Sequence, residues 1–90
     1  MELHYNIVVK GKVQGVYYRA SAQVKANELK LSGYVRNLHN GDVLIEAEGN
    51  PENLSKFIDW CYLGSPRSKV TEVISEEGDL RGFKTFEVRK

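Results

Sequence analysis

Ninety residues with 13 basic and 12 acidic side chains, a net charge of +1, allow one modest globular core and little more. The hydrophobic share is 41%, mean hydropathy is -0.44, and no run approaches the ~18 apolar residues of a membrane span, so a transmembrane helix is excluded. Near-balanced charge argues against a general polyanion binder, and Cys61 alone closes no internal disulfide and builds no zinc site. Met1 to Asn6 lacks the basic segment and apolar run of a signal peptide, so a cytoplasmic protein is expected.

No linker, charge block or repeat divides the chain, and residues 1–90 are read as a single domain. Tyr5 to Lys10 is β-branched and apolar, which predicts a buried strand ended by Gly11. Gly11 to Tyr18 holds two glycines and no period, as a loop does. Over Ala20 to Leu31 two periods compete. Ala20, Ala22, Val24 and Ala26 alternate like a strand, while Ala22, Ala26 and Leu29 form a helical stripe. The helix formers Gln23, Lys25 and Glu28 decide for a helix.

Gly33 to His39 and Asp42 to Glu48 predict a hairpin closed by a tight Asn40-Gly41 turn, both turn residues taking positive φ. On its second strand Val43, Ile45 and Ala47 face the core, and Glu46 and Glu48 face solvent. Asn50 as cap, Pro51 at the first position, the stripe Leu54, Phe57, Ile58 and Cys61, and Gly64 as stop predict the clearest helix. Lys69 to Ser75 and Phe83 to Val88 predict two last strands around the polar turn Glu76 to Arg81. The order β-α-β-β-α-β with a short final strand is the ferredoxin-like split βαβ of the α+β class. It predicts an antiparallel sheet with two helices on one face.

Two segments carry candidate chemistry. Gly11-Lys12-Val13-Gln14-Gly15-Val16-Tyr17-Tyr18-Arg19 leaves a strand and enters a helix directly, with an arginine at the junction. Backbone N–H groups converge in such a loop, the helix start adds partial positive charge, and the planar fork of Arg19 suits a phosphate, carboxylate or sulfate. An ordinary strand–helix connection with an exposed arginine fits the spacing equally well. A nucleotide P-loop does not, because Gly11 and Gly15 are too close and no Gly-Lys-Ser/Thr follows. In Gly33-Tyr34-Val35-Arg36-Asn37, alternation puts Asn37 on the side of Val35, facing the helices. There it can orient a polar ligand or a water, although an asparagine serving nearby backbone is the commoner case.

The other polar residues read as structural. His4 is a frayed strand start, His39 a hairpin residue, Glu46 and Glu48 a solvated face, and Cys61 a small core residue. No histidine or carboxylate falls at metal-ligand spacing, and neither metal nor cofactor is expected. Asn53-Leu54-Ser55 matches a glycosylation sequon but lies within a predicted helix. Arg81 to Phe86 echoes an RNA-recognition strand, but Phe83 and Phe86 are three apart and face opposite ways, which disfavours RNA.

The two segments together resemble the acylphosphatase family. Its first pattern, G-x-V-Q-G-V-x-(F/Y)-R, is met by Gly11 through Arg19. Its second, G-(F/Y/W)-(A/V/C)-(K/R/Q/A/M)-N-x3-G-x-(V/L)-x3-(A/G)-x-G, is met by Gly33 through Gly49. The resemblance spans nearly the whole chain. Tyr18 stands where phenylalanine is more usual, and Gly64-Ser65-Pro66 replaces a Gly-Pro-Pro turn outside both patterns.

The resemblance implies hydrolysis of the carboxyl–phosphate bond of a small-molecule acyl phosphate. Inorganic phosphate is then the product and an expected competitive inhibitor. It implies a phosphate cradle of backbone N–H groups over Gln14, Gly15, Val16, Tyr17, Tyr18 and Arg19, with Arg19 binding substrate and Asn37 positioning water. Metal-independent turnover by a monomer is expected, without nucleic-acid or membrane partners. Similar domains also occur inside larger carbamoyl-transferring maturation proteins, and the domain-sized chain favours the free-standing enzyme. The alternative is a non-catalytic phosphate-binding module on the same fold, which would saturate with phosphate and hydrolyse nothing.

Overall fold

The computed structural model describes residues 1–90 as β1 (Leu3–Lys12), α1 (Tyr18–Glu28), β2 (Ser32–Asn37), β3 (Val43–Gly49), α2 (Pro51–Leu63), β4 (Lys69–Gly78) and β5 (Phe86–Arg89). The sheet order is β4-β1-β3-β2-β5. The first four strands pair antiparallel in the split-βαβ order, and β5 lies parallel to β2, which makes the sheet mixed. Strands β4 and β5 occupy opposite edges, so residues 79–85 must cross the sheet. Four strand spacings of ~4.8 Å come to about 19 Å, and these residues reach roughly 24 Å when extended.

Alternation sends Ile7, Val9, Val35, Val43, Ile45 and Ala47 to one face, where both helices cover them. On α1 the buried residues are Tyr18, Ala22 and Ala26, a spacing of four, whereas Val24 is 60% exposed. The helical stripe therefore prevails over the strand-like alternation. The helix begins two residues earlier than the stripe alone predicts. It ends earlier too: Lys30 takes positive φ at 58, its N–H returns to the Asn27 carbonyl at 3.1 Å, and Leu31 N–H returns to the Ala26 carbonyl at 2.9 Å. On α2 the expected cap is present, Asn50 Oδ1 accepting from Asn53 N–H at 2.8 Å, and Leu54, Phe57 and Cys61 are buried. Neither helix is long and apolar enough to cross a membrane.

The hairpin differs from expectation. Its last pair is Asn37↔Val43, so residues 38–42 form the connection, and of Asn40 and Gly41 only Gly41 takes positive φ. The Asn40 side chain instead accepts from Asp42 N–H at 3.0 Å. This local bond competes with the two-residue turn.

The expectation of a frayed His4 and a solvated Glu46 and Glu48 is also corrected. His4 is 1% and Glu48 2% exposed, and Glu46 is buried as well. They lie on the face opposite the helices, where the crossing segment covers them. Glu48 accepts backbone N–H bonds from Arg81, Gly82 and Phe83, and His4 Nδ1 donates to it at 2.7 Å. The Phe83 ring packs on His4 at 6.1 Å and edge-on to Tyr34 at 5.9 Å. Because Glu48 takes these backbone donors, the strand predicted from Phe83 starts only at Phe86. The preceding strand, for its part, extends to Gly78, which pairs with His4.

Candidate active site

At the other end of the sheet, where β1, β2 and β5 finish, the chain turns from β1 into α1. Gly15 sits at φ 72, a conformation that favours glycine. Tyr17 is left-handed too, at φ 63 and ψ 22, which costs a non-glycine residue about 1–2 kcal/mol. No side chain caps α1, and Ser21 N–H is bonded to the Tyr17 carbonyl at 3.0 Å. The N–H groups of the first turn ahead of it therefore have no intrahelical acceptor, and with the helix dipole they make this end electropositive.

The loop is pinned from three sides. Val13 and Val16 are buried in the core. Ser65 Oγ, just after α2, donates to the Val16 carbonyl at 2.7 Å. Gln14 Nε2 donates to the Leu38 carbonyl at 2.7 Å and the Asp42 carbonyl at 2.8 Å. Lys10 Nζ meets Asp42 Oδ2 at 2.7 Å beside them, and that partner raises the pKa of Lys10. Leu38 and Asp42 belong to the connection that follows Asn37, so the Gln14 side chain ties the loop to the element that carries the asparagine.

Asn37 ends β2 on the face of Val35, as alternation predicts. Near the start of the same strand β2 and β3 approach closely. A Cβ on Gly33, at φ 140, would lie 1.8 Å from the Glu46 carbonyl oxygen. Asn37 Oδ1 is buried with no hydrogen-bond partner, an uncommon state for a polar atom. Arg19 stands in the first turn of α1, and its Nη1 donates to the Arg89 carbonyl at 2.8 Å, so the end of β5 holds the guanidinium.

These elements enclose a cleft of about 390 Å³ whose lining includes Gly15, Tyr17, Arg19, Ala20, Asn37 and Val88. Arg19 is the one charged side chain on it. Of the six loop residues singled out in the sequence, Gly15, Tyr17, Tyr18 and Arg19 border the cleft. Gln14 turns its side chain to the β2–β3 connection, and Val16 is a core anchor. The Tyr18 ring is buried. Its hydroxyl donates to the Cys61 carbonyl at 2.9 Å, and burial raises its pKa far above the ordinary tyrosine value. Burial likewise pushes the Cys61 thiol up to about 12, which makes it a packed, unreactive sulfur.

Sequence reasoning missed three supports: the Gln14 amide, Ser65 and the Arg89 carbonyl. Ser65 was visible as a departure from Gly-Pro-Pro, but its acceptor is 49 residues away. A backbone carbonyl 70 residues from Arg19 leaves no sequence signal at all.

Chemically, the cleft joins backbone donors and a fixed guanidinium, which suit an anion, to an unpartnered amide, which suits a neutral polar molecule. It presents no carboxylate, imidazole or thiol for proton transfer. The family model described as Acylphosphatase matches residues 5–88. A protein named acylphosphatase from Bacillus licheniformis is 46% identical over 87 residues, spanning 96% of this chain and 97% of its own. Another of that name from Marinobacter nauticus is 52% identical over 73 residues, spanning 81% and 79%. The crystal structure of acylphosphatase from Bacillus subtilis is 40% identical, covers 98% of this chain and 99% of its own, and superposes with a TM-score of 0.96.

Proposed function

The chain belongs to the acylphosphatase family, enzymes that hydrolyse acyl phosphates, and from that membership we propose how its cleft carries out the reaction. The phosphoryl group of a small acyl phosphate is held by the backbone N–H groups of the 14–19 loop and by Arg19. Asn37 orients a water in line with the carboxyl–phosphate bond. The water oxygen bonds to phosphorus, the bond to the carboxylate oxygen breaks, and its electron pair leaves with the carboxylate. The observation that carries this reading is the meeting of Arg19, held by the Arg89 carbonyl, and the unpartnered amide of Asn37 on one cleft at a helix start.

The transition state of phosphoryl transfer is loose, with charge spread over the phosphoryl oxygens, so positioning and electrostatic stabilisation do most of the catalysis. Backbone donors and a guanidinium supply both. The leaving carboxylate is a weak base, with a conjugate-acid pKa of about 4, and departs without a general acid. Asn37 cannot take a proton at neutral pH, and the water's proton passes to a phosphoryl oxygen of the substrate. A rate that followed a side-chain pKa and not the ionisation of the substrate would contradict this. The cleft lining contains no histidine, cysteine, aspartate or glutamate, and this supports turnover without a metal ion. On this reading residues 1–90 act as one cytoplasmic, monomeric domain, and inorganic phosphate competes with substrate.

The test is hydrolysis of benzoyl phosphate in EDTA by the parent, Arg19→Ala and Asn37→Ala, with folding checked by circular dichroism. Rapid turnover by the parent is expected, with a loss on the order of 10³-fold or more for Arg19→Ala and a large loss for Asn37→Ala. Saturable phosphate binding by a parent that hydrolyses nothing would leave the anion-binding module instead.

A further inference from the structure

Peptide planarity ties the buried side of the 14–19 loop to its open side. Ser65, 3% exposed, donates its hydroxyl to the Val16 carbonyl at 2.7 Å. The peptide bond from Val16 to Tyr17 is trans, so that carbonyl and the Tyr17 N–H point in opposite directions across one rigid plane. A hydroxyl that captures the first therefore aims the second. Val16 is a core residue and Tyr17 borders the cleft, so the direction away from Ser65 is the direction of the cleft.

The backbone around this plane is strained. Gly15 and Tyr17 are left-handed, at φ 72 and 63, and Val16 between them is not. Alternating handedness turns successive N–H groups toward one side, a concavity that suits an anion. The N–H groups of Gly15, Val16 and Tyr17 donate to no backbone acceptor. The Tyr17 side chain is 73% exposed and too far from the core to anchor its own backbone. Its conformation is held instead by the two flanking peptides. Ser21 N–H takes the Tyr17 carbonyl at 3.0 Å on the helix side, and Ser65 takes the Val16 carbonyl on the other. Ser21 comes with α1 itself, whereas Ser65 follows α2 and reaches the loop from a separate element. The turn that carries Ser65 is closed independently, its carbonyl accepting from Ser68 N–H at 3.0 Å and from Ser68 Oγ at 2.7 Å.

We propose that Ser65 is a positioning residue for the hydrolysis: by holding the Val16 carbonyl it keeps Tyr17 left-handed and aims the Tyr17 N–H at a phosphoryl oxygen. This rests on the cleft being the acyl phosphate site. Without the hydroxyl the 16–17 plane can rotate to bring its carbonyl to water. The loop would then present a lone pair to the phosphoryl group where it had presented a donor, and the loss would grow as charge develops in the transition state.

The experiment uses the full chain as parent, Ser65→Ala, Ser65→Thr and Ser68→Ala, each checked for folding by circular dichroism. It measures kcat and KM for benzoyl phosphate, the inhibition constant of inorganic phosphate, and the Tyr17 amide resonance with and without saturating phosphate. In the parent, phosphate is expected to move the Tyr17 amide proton downfield. Ser65→Ala should lose that shift, with kcat lower on the order of tenfold to a hundredfold and phosphate inhibition several-fold weaker. Ser65→Thr restores the hydroxyl and should bring kcat back to within about threefold of the parent. Ser68→Ala removes a hydrogen bond from the same turn, which Ser68 N–H still closes, and should change kcat by no more than about twofold.

A parent Tyr17 amide that phosphate does not move overturns the proposal. So does a Ser65→Ala variant equal to the parent, or a folded Ser65→Thr no more active than Ser65→Ala. Equal losses in Ser65→Ala and Ser68→Ala overturn it too, because the turn as a whole and not the hydroxyl would then matter. Should Ser65→Ala not fold, Ser65→Cys takes its place, a thiol being a weak donor. If the parent hydrolyses no acyl phosphate, the hydrolytic reading is what fails, and phosphate titration still tests the anchor. A Tyr17 shift abolished by Ser65→Ala then upholds it, and a shift that persists overturns it.

Discussion

Tyr18 and Gln14 lie in the same nine-residue pattern as Arg19, yet their side chains do structural work. The carbonyl of Cys61 lies in the last turn of α2, where helix geometry leaves acceptors unpaired, and the Tyr18 hydroxyl fills that need. Tyr18→Phe keeps the ring and strands the carbonyl. It should lower stability by about 1–2 kcal/mol in urea unfolding while leaving kcat/KM far closer to the parent than Arg19→Ala does. Gln14 donates to two carbonyls of the β2–β3 connection, and Gln14→Met fills similar space with no donor. Its kcat for benzoyl phosphate should fall on the order of tenfold, because small misplacements of a positioning group are costly in phosphoryl transfer. Inhibition by inorganic phosphate should weaken less than kcat falls, because the proposed cradle of loop 14–19 keeps its own backbone. Neither role was legible from the residues alone. A glutamine inside a glycine loop and a tyrosine at a helix start both look like ligand-facing groups until their partners are known.

At the scale of elements, the crossing segment 79–85 and strand β3 hold one another through Glu48. Burial pushes the Glu48 carboxyl up, but the three backbone N–H bonds and His4 outweigh it and hold the group below its ordinary value of 4.5. A carboxyl depressed in the folded state stabilises the fold fully above the unfolded value. That contribution fades as pH falls through the folded one. Urea unfolding from about pH 6 down to about pH 3 should therefore show stability declining through the acid range. Glu48→Gln should be destabilised at neutral pH and show a flatter acid limb, with Glu46, Tyr34, His4 and Arg81 still present around the site. The strand pattern at Glu46 and Glu48 was read correctly as an alternation and wrongly as solvated. Period two shows which residues share a face. It does not show whether a later segment returns to cover that face.

Across the molecule the site forms where three strand ends and one helix start converge, and the parts differ in how far the sequence reveals them. Helix α2 announces itself through Asn50, Pro51 and Gly64 within a single stretch. The four-strand order follows from alternating elements, and the two patterns that bear Arg19 and Asn37 are each read within one local segment. Such features depend on neighbours a few residues apart, where propensity, capping and periodicity operate. The Asn-Gly turn shows the limit even locally, since strand register and an Asn40 side-chain bond together displaced the expected geometry. The parallel placement of β5 arises because β4 ends on the far edge and residues 79–85 carry the chain across the open face. That crossing buries His4 and Glu48, and the parallel strand then offers the Arg89 carbonyl to Arg19. Backbone carbonyls and buried carboxylates acquire partners only after distant segments have packed. The residue types proposed to carry the chemistry could thus be read one by one, whereas the contacts that hold them in place come from the folded chain.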